Sequence, residues 1–97
     1  MIPKVRLLNK ANHQYVIDTH TTITFQSYDS VICNIDQEQS IITFGADWNY
    51  SVTTAKYRNE FLKQQGLPAL ANTGAIQKAI TEGYFIHYRV LYDAGLR

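Results

Sequence analysis

The chain is poor in the features that usually announce a function. It has one cysteine, Cys33, so neither an intramolecular disulfide nor a thiolate zinc cluster can be built, and a reducing compartment is expected. No stretch approaches the roughly 18 consecutive apolar residues of a membrane-spanning helix. The opening Met1-Ile2-Pro3-Lys4-Val5-Arg6 lacks the apolar run of a signal peptide, which leads to a cytosolic expectation. Nine basic against eight acidic residues leave a net charge of +1, which excludes broad coating of nucleic acid and an acidic mimic of it. Three histidines occur without an HxxxH or CxxC spacing, and Gly45 stands alone rather than in a phosphate-cradling loop.

What is present specifies a folded domain. Hydrophobic residues at 45% and charged residues at 18% suit one globular core, and 97 residues are too few for two domains. The first 45 residues read as strands: Val5–Asn9, Gln14–Asp18, Thr21–Ser27, Ser30–Asp36 and Ser40–Gly45, with Val31, Cys33 and Ile35 sharing a face at period two. Connections this short join antiparallel neighbours. A helix from Ser51 or Thr53 to Gln65 then shows Ala55, Tyr57, Phe61 and Leu62 on one side, with Gly66 as its stop. Asn72-Thr73 caps a second helix, Gly74–Glu82, that ends at Gly83. Strict alternation over Tyr84–Tyr92 predicts a last strand returning to the sheet. The expected fold is α+β, a single two-layer domain over residues 1–97: an antiparallel meander of four to five strands, two helices and a C-terminal strand.

Candidate chemistry is sparse. Cys33 falls mid-strand on an apolar face, the setting of an inert thiol. Asp18, Asp29, Asp36 and Asp47 fall at strand ends and turns, where aspartate serves the backbone. His13, His20 and His87 occupy turns and a strand. No catalytic residue, metal ligand or cofactor is assigned. The richest segment is Asp47-Trp48-Asn49-Tyr50-Ser51-Val52-Thr53-Thr54-Ala55-Lys56-Tyr57-Arg58. Trp48 and Tyr50 precede a helix start whose free N–H groups favour anions, Ser51, Thr53 and Thr54 add hydroxyls, and Lys56 and Arg58 add charge. These seven residues form the candidate binding patch. The competing reading buries Trp48 and Tyr50 against the sheet, leaves Ser51 and Thr53 as caps, and puts Lys56 and Arg58 in solvent. In the last strand the face of Phe85 and Leu91 beside His87 and Arg89 is apolar enough to add an expectation of self-association. The Tyr84, Tyr88 and Tyr92 face is expected to pack on the helices.

Two segments carry a resemblance. Phe25-Gln26-Ser27-Tyr28-Asp29-Ser30-Val31-Ile32 is followed, after another strand, by Trp48-Asn49-Tyr50-Ser51-Val52-Thr53-Thr54-Ala55-Lys56 and then Phe61-Leu62. This resembles a family of small, largely uncharacterised proteins of bacteriophages, plasmids and other mobile elements. Its pattern is a Ser-Tyr-x-Thr/Ser turn, an apolar strand, and Trp-x-Tyr-Ser-x-Thr-Thr-x-Lys leading into a helix that ends in Phe-Leu. Tyr57 stands where that family often has histidine, and Asn49 where aspartate is common. The resemblance implies a mobile-element origin, a small α+β fold and a place in the cytosol of the host cell.

Three functions follow as expectations. The first is a non-enzymatic accessory protein that binds a host protein or complex, antiviral defence systems included, or nucleic acid, through the aromatic-basic patch. The second is an oligomeric binder of a small ligand such as a nucleotide, held at the Ser51–Thr54 helix start and Lys56. The third is a minimal metal-dependent nuclease using the turn carboxylates with His20 or His87.

Overall fold

A computed structural model describes residues 2–96; Met1 and Arg97, which the expected span of 1–97 includes, lie outside the described residues. Seven strands make one mixed sheet in the order β1-β2-β3-β4-β5-β7-β6. The strands are β1 (Lys4–Leu7), β2 (Gln14–Asp18), β3 (Thr22–Ser27), β4 (Ser30–Asp36), β5 (Ile41–Gly45), β6 (Tyr84–Phe85) and β7 (Tyr88–Asp93), and the helices are α1 (Val52–Gln64) and α2 (Thr73–Glu82). The α+β class and the two helices agree with the sequence reading. The strand count does not: the meander of β1 to β5 has the upper expected number, and the returning segment supplies two strands rather than one.

That division comes from the backbone. Tyr84 pairs with Arg89 and Phe85 with Tyr88, so Ile86 and His87 form a two-residue hairpin turn. Ile86 takes φ +57°, a conformation a β-branched residue rarely adopts, and nothing in its type announces a turn. β7 then runs parallel to β5, Ile42 facing Val90, after the long crossover that parallel pairing requires. A second local departure lies in β4. Phe25 faces Cys33 but Gln26 faces Val31, so Ile32 is the extra residue of a bulge. The bulge turns Ile32 and Cys33 inward together and leaves Val31 half-buried, breaking the expected Val31-Cys33-Ile35 face.

The helices cover one face of the sheet. Val16, Ile23, Phe25, Cys33, Ile35, Ile42, Phe44 and Val90 meet Phe61 and Leu62 of α1, Ile76 and Ala79 of α2, and Leu70 between the helices. Phe25 and Phe61 stack with ring centres 5.6 Å apart. Burial of this apolar surface is the main driving force of the fold, at about 25 cal/mol per Å². Local signals fix the helix ends. The Ser51 side chain accepts the Thr54 N–H, and Asn72 Oδ1 accepts the Ala75 N–H. Gly66 and Gly83 supply left-handed residues just past the two helices, at φ +78° and +82°.

Candidate functional site

The two segments that carry the resemblance meet in space. The β3–β4 hairpin turns through Tyr28 and Asp29, closed by the Ser27–Ser30 pair. The loop after β5 approaches from the other side and leads through Asp47 and Tyr50 to the Ser51 cap of α1. Gly45 lets the end of β5 lie hard against the backbone of β4 and of the C-terminal segment: a Cβ there would collide with the carbonyl oxygens of Val31 and Leu96. Ser30 Oγ donates to Asp47 Oδ2 at 2.8 Å and ties hairpin to loop. Between them lies a cleft of about 480 Å³, floored by Ser27, Ser30 and Ile32 and walled by Asp29, Asp47, Ser51, Thr53 and Thr54, with Tyr28 and Tyr50 at its rims. Both rim tyrosines are exposed, at 59% and 78%.

The polar groups of the cleft fall into two sets. Ser51 Oγ donates to Thr54 Oγ1 at 3.1 Å and accepts the Thr54 N–H, so these serve the helix start. Ser27 is different. It is only 6% exposed, its hydroxyl has no hydrogen-bond partner among the described residues, and its remaining exposure opens on the cleft. The Asp29 carboxylate likewise has no described partner there. Tyr28 is held at φ +52° with its ring stacked on His13, 4.7 Å between centres. That φ is the left-handed position of a two-residue hairpin turn, as at Ile86.

The expected aromatic-basic patch is divided by the fold. Tyr50, Ser51, Thr53 and Thr54 line the cleft, Thr54 from a buried position. Trp48 is 9% exposed and packs edge-on against Phe44. Arg58 is fully buried and lies over the Trp48 ring at 5.3 Å. Its Nη1 donates to the Trp48 carbonyl at 2.9 Å and to Asn49 Oδ1 at 3.3 Å. Nη2 donates to Asn59 Oδ1 and Thr73 Oγ1, both at 3.0 Å, and Nε to Asn59 Oδ1 at 3.2 Å. Every N–H of the guanidinium is used, all on neutral acceptors, so Arg58 neither reaches a surface partner nor sits in solvent. Lys56 is exposed, but its Nζ lies 5.3 Å over the Tyr57 ring and does not line the cleft. Sequence reasoning missed Ser27, Tyr28 and Asp29 as site residues, although the Ser-Tyr-x-Ser turn was the signal for them.

Other chemistry does not assemble. Among the described residues no group of three or more His, Cys, Asp or Glu side chains could hold a metal ion. Asp36 accepts the Glu38 and Gln39 N–H groups at 3.0 Å, a turn role. Cys33 is fully buried, and burial pushes its thiol well up, only partly offset by the nearby Arg58 charge. The same burial pushes the Arg58 guanidinium down. No helix of the described residues is long and apolar enough to cross a membrane.

No curated protein and no solved structure matches the chain. The profile of a family of unknown function, DUF8033, matches residues 6–83, a span that holds both walls of the cleft and the whole Arg58 cluster. The chain therefore belongs to the DUF8033 family.

Proposed function

We propose that the protein is a non-enzymatic accessory protein of mobile-element type that binds a host protein through the cleft between the β3–β4 hairpin and the start of α1. The observation that carries this reading is the pair of exposed tyrosines, Tyr28 and Tyr50, flanking a floor where the Ser27 hydroxyl, on an otherwise buried residue, is accessible and has no partner among the described residues. Tyrosine at the rim of a polar depression is the composition of protein-recognition surfaces, where it brings contact area and a hydrogen-bonding tip at small entropic cost. A host defence complex and a location in the host cytosol belong to the same reading. Phosphate-bearing ligands fit less well, because none of the lining residues is lysine or arginine.

Affinity capture from host extract with three variants tests it. The wild-type protein should retain a partner that Tyr28→Ala/Tyr50→Ala loses and Lys56→Glu keeps. Retention by the double tyrosine variant, with loss in Lys56→Glu, would move the contact to the exposed side of α1.

A further inference from the structure

Resting on the protein-binding reading, we propose that the cleft is selective for the guanidinium group of an arginine presented by the partner. The argument is one of charge and acceptors. Asp29 and Asp47 both line the cleft, and no lysine, arginine or histidine among the described residues lines it with them. The positive end of α1 opposes a cation there, but its effective charge is only about half an elementary charge against two carboxylates. Part of that helix end is already spent, since the Thr54 N–H is taken by Ser51. The field in the cleft is therefore negative.

The acceptors are also in place. Ser30 occupies Oδ2 of Asp47 and leaves Oδ1 without a described partner. The Asp29 carboxylate and the Ser27 hydroxyl are open as well, and Ser27, more than nine-tenths buried as a residue, lines the cleft. A planar fork of donors suits a carboxylate with a neighbouring hydroxyl better than a point charge does. A metal ion fits poorly, because calcium takes 6 to 8 oxygen ligands and no cluster of three candidate ligands exists among the described residues. The expected occupant is thus organic, planar and positive.

The test is an amide-resolved NMR titration of the whole protein with N-acetyl-arginine amide, N-acetyl-glutamate amide, inorganic phosphate and spermidine. The arginine derivative should move the amides of Ser27, Asp29 and Thr53, and Asp29→Asn should weaken it about tenfold, the size of one charge-assisted contact. Movement of these amides by phosphate or the glutamate derivative, or none with arginine, would overturn the proposal. Tighter binding of spermidine than of the arginine derivative would overturn the partner-borne source. The capture assay separates this inference from the reading beneath it. A partner kept by Asp29→Asn/Asp47→Asn but lost by Tyr28→Ala/Tyr50→Ala ends the arginine proposal alone. A partner kept by both double variants ends the cleft as the contact surface.

Discussion

Two polar clusters lie on either side of the α1 start, and they are built on opposite principles. Every N–H of the Arg58 guanidinium has an acceptor, and five hydrogen bonds knit the 48–49 loop, α1 and the first residue of α2 together. In the cleft, Ser27 and Asp29 are left without described partners at the bottom and wall of a depression. Both clusters contain residues that looked equally functional in sequence. The difference is satisfaction: a polar group that is buried and fully paired holds a fold together, whereas one left open to solvent and unpaired on a depression is free to meet a partner.

The largest effect should come from breaking the closed cluster. Arg58→Ala removes a fully buried side chain and orphans the Trp48 carbonyl, Asn49, Asn59 and Thr73 at once. Urea unfolding should show a loss of about 3 kcal/mol or more, the scale of a dismantled buried network. Lys56→Ala, two residues away and exposed, should stay within about 0.5 kcal/mol. Equal small losses for both would mean that the cluster is loose and the contrast false.

Next in size is a pH effect on the same closed side. Burial raises the Cys33 thiol above its unfolded value of 9.0, so the folded chain holds that proton more tightly. The contribution is fully present below pH 9.0 and fades as pH rises through the window above it. Stability should fall by about 1.4 kcal/mol for each unit in that window. Cys33→Ala, lacking the thiol, should lose that component of the slope when both proteins are unfolded side by side.

Ser51 belongs to both clusters' neighbourhood and should show an intermediate effect. Its side chain caps α1 by accepting the Thr54 N–H, so Ser51→Ala should cost about 1 kcal/mol in thermal or urea unfolding. Ser51→Asp, which preserves a capping oxygen, should recover most of that loss. No recovery would show that the hydroxyl's donation to Thr54 Oγ1, which a carboxylate cannot make, carries the effect rather than the cap.

How much of this was legible beforehand follows the range of each signal. Ser51, Gly66, Asn72 and Gly83 act within a few residues of themselves, and the helix ends they mark agree with the sequence to within a residue. The five-strand meander was legible because alternation and short polar turns are local too. The bulge at Ile32 was not, since it is defined by the register against β3 rather than by any residue type. Neither was the turn at Ile86, where tertiary pairing forces an unlikely residue into a left-handed backbone. Arg58 misled for a similar reason: its acceptors come from Asn49, Asn59 and Thr73, the last 15 positions away. Each wall of the cleft was visible as a motif, but their meeting, tied by Ser30 and Asp47 17 positions apart, is set by the tertiary fold.

The smallest stability effect is the one that most sharpens the comparison. In the closed cluster, deleting a polar group should always destabilise. In the cleft, Ser27→Ala deletes a hydroxyl with no described partner from a residue that is 6% exposed, and replaces it with a methyl suited to burial. The change should therefore be neutral within about 0.5 kcal/mol, because the hydroxyl is not among the buried atoms left without a partner and gives up only contact with water. Partner binding should weaken in the same variant. That separation of binding from stability is what a group serving recognition rather than the fold predicts. A clear loss of stability would mean that a neighbouring protein group pairs with Ser27 in solution, and the cleft would then be as closed as the Arg58 cluster.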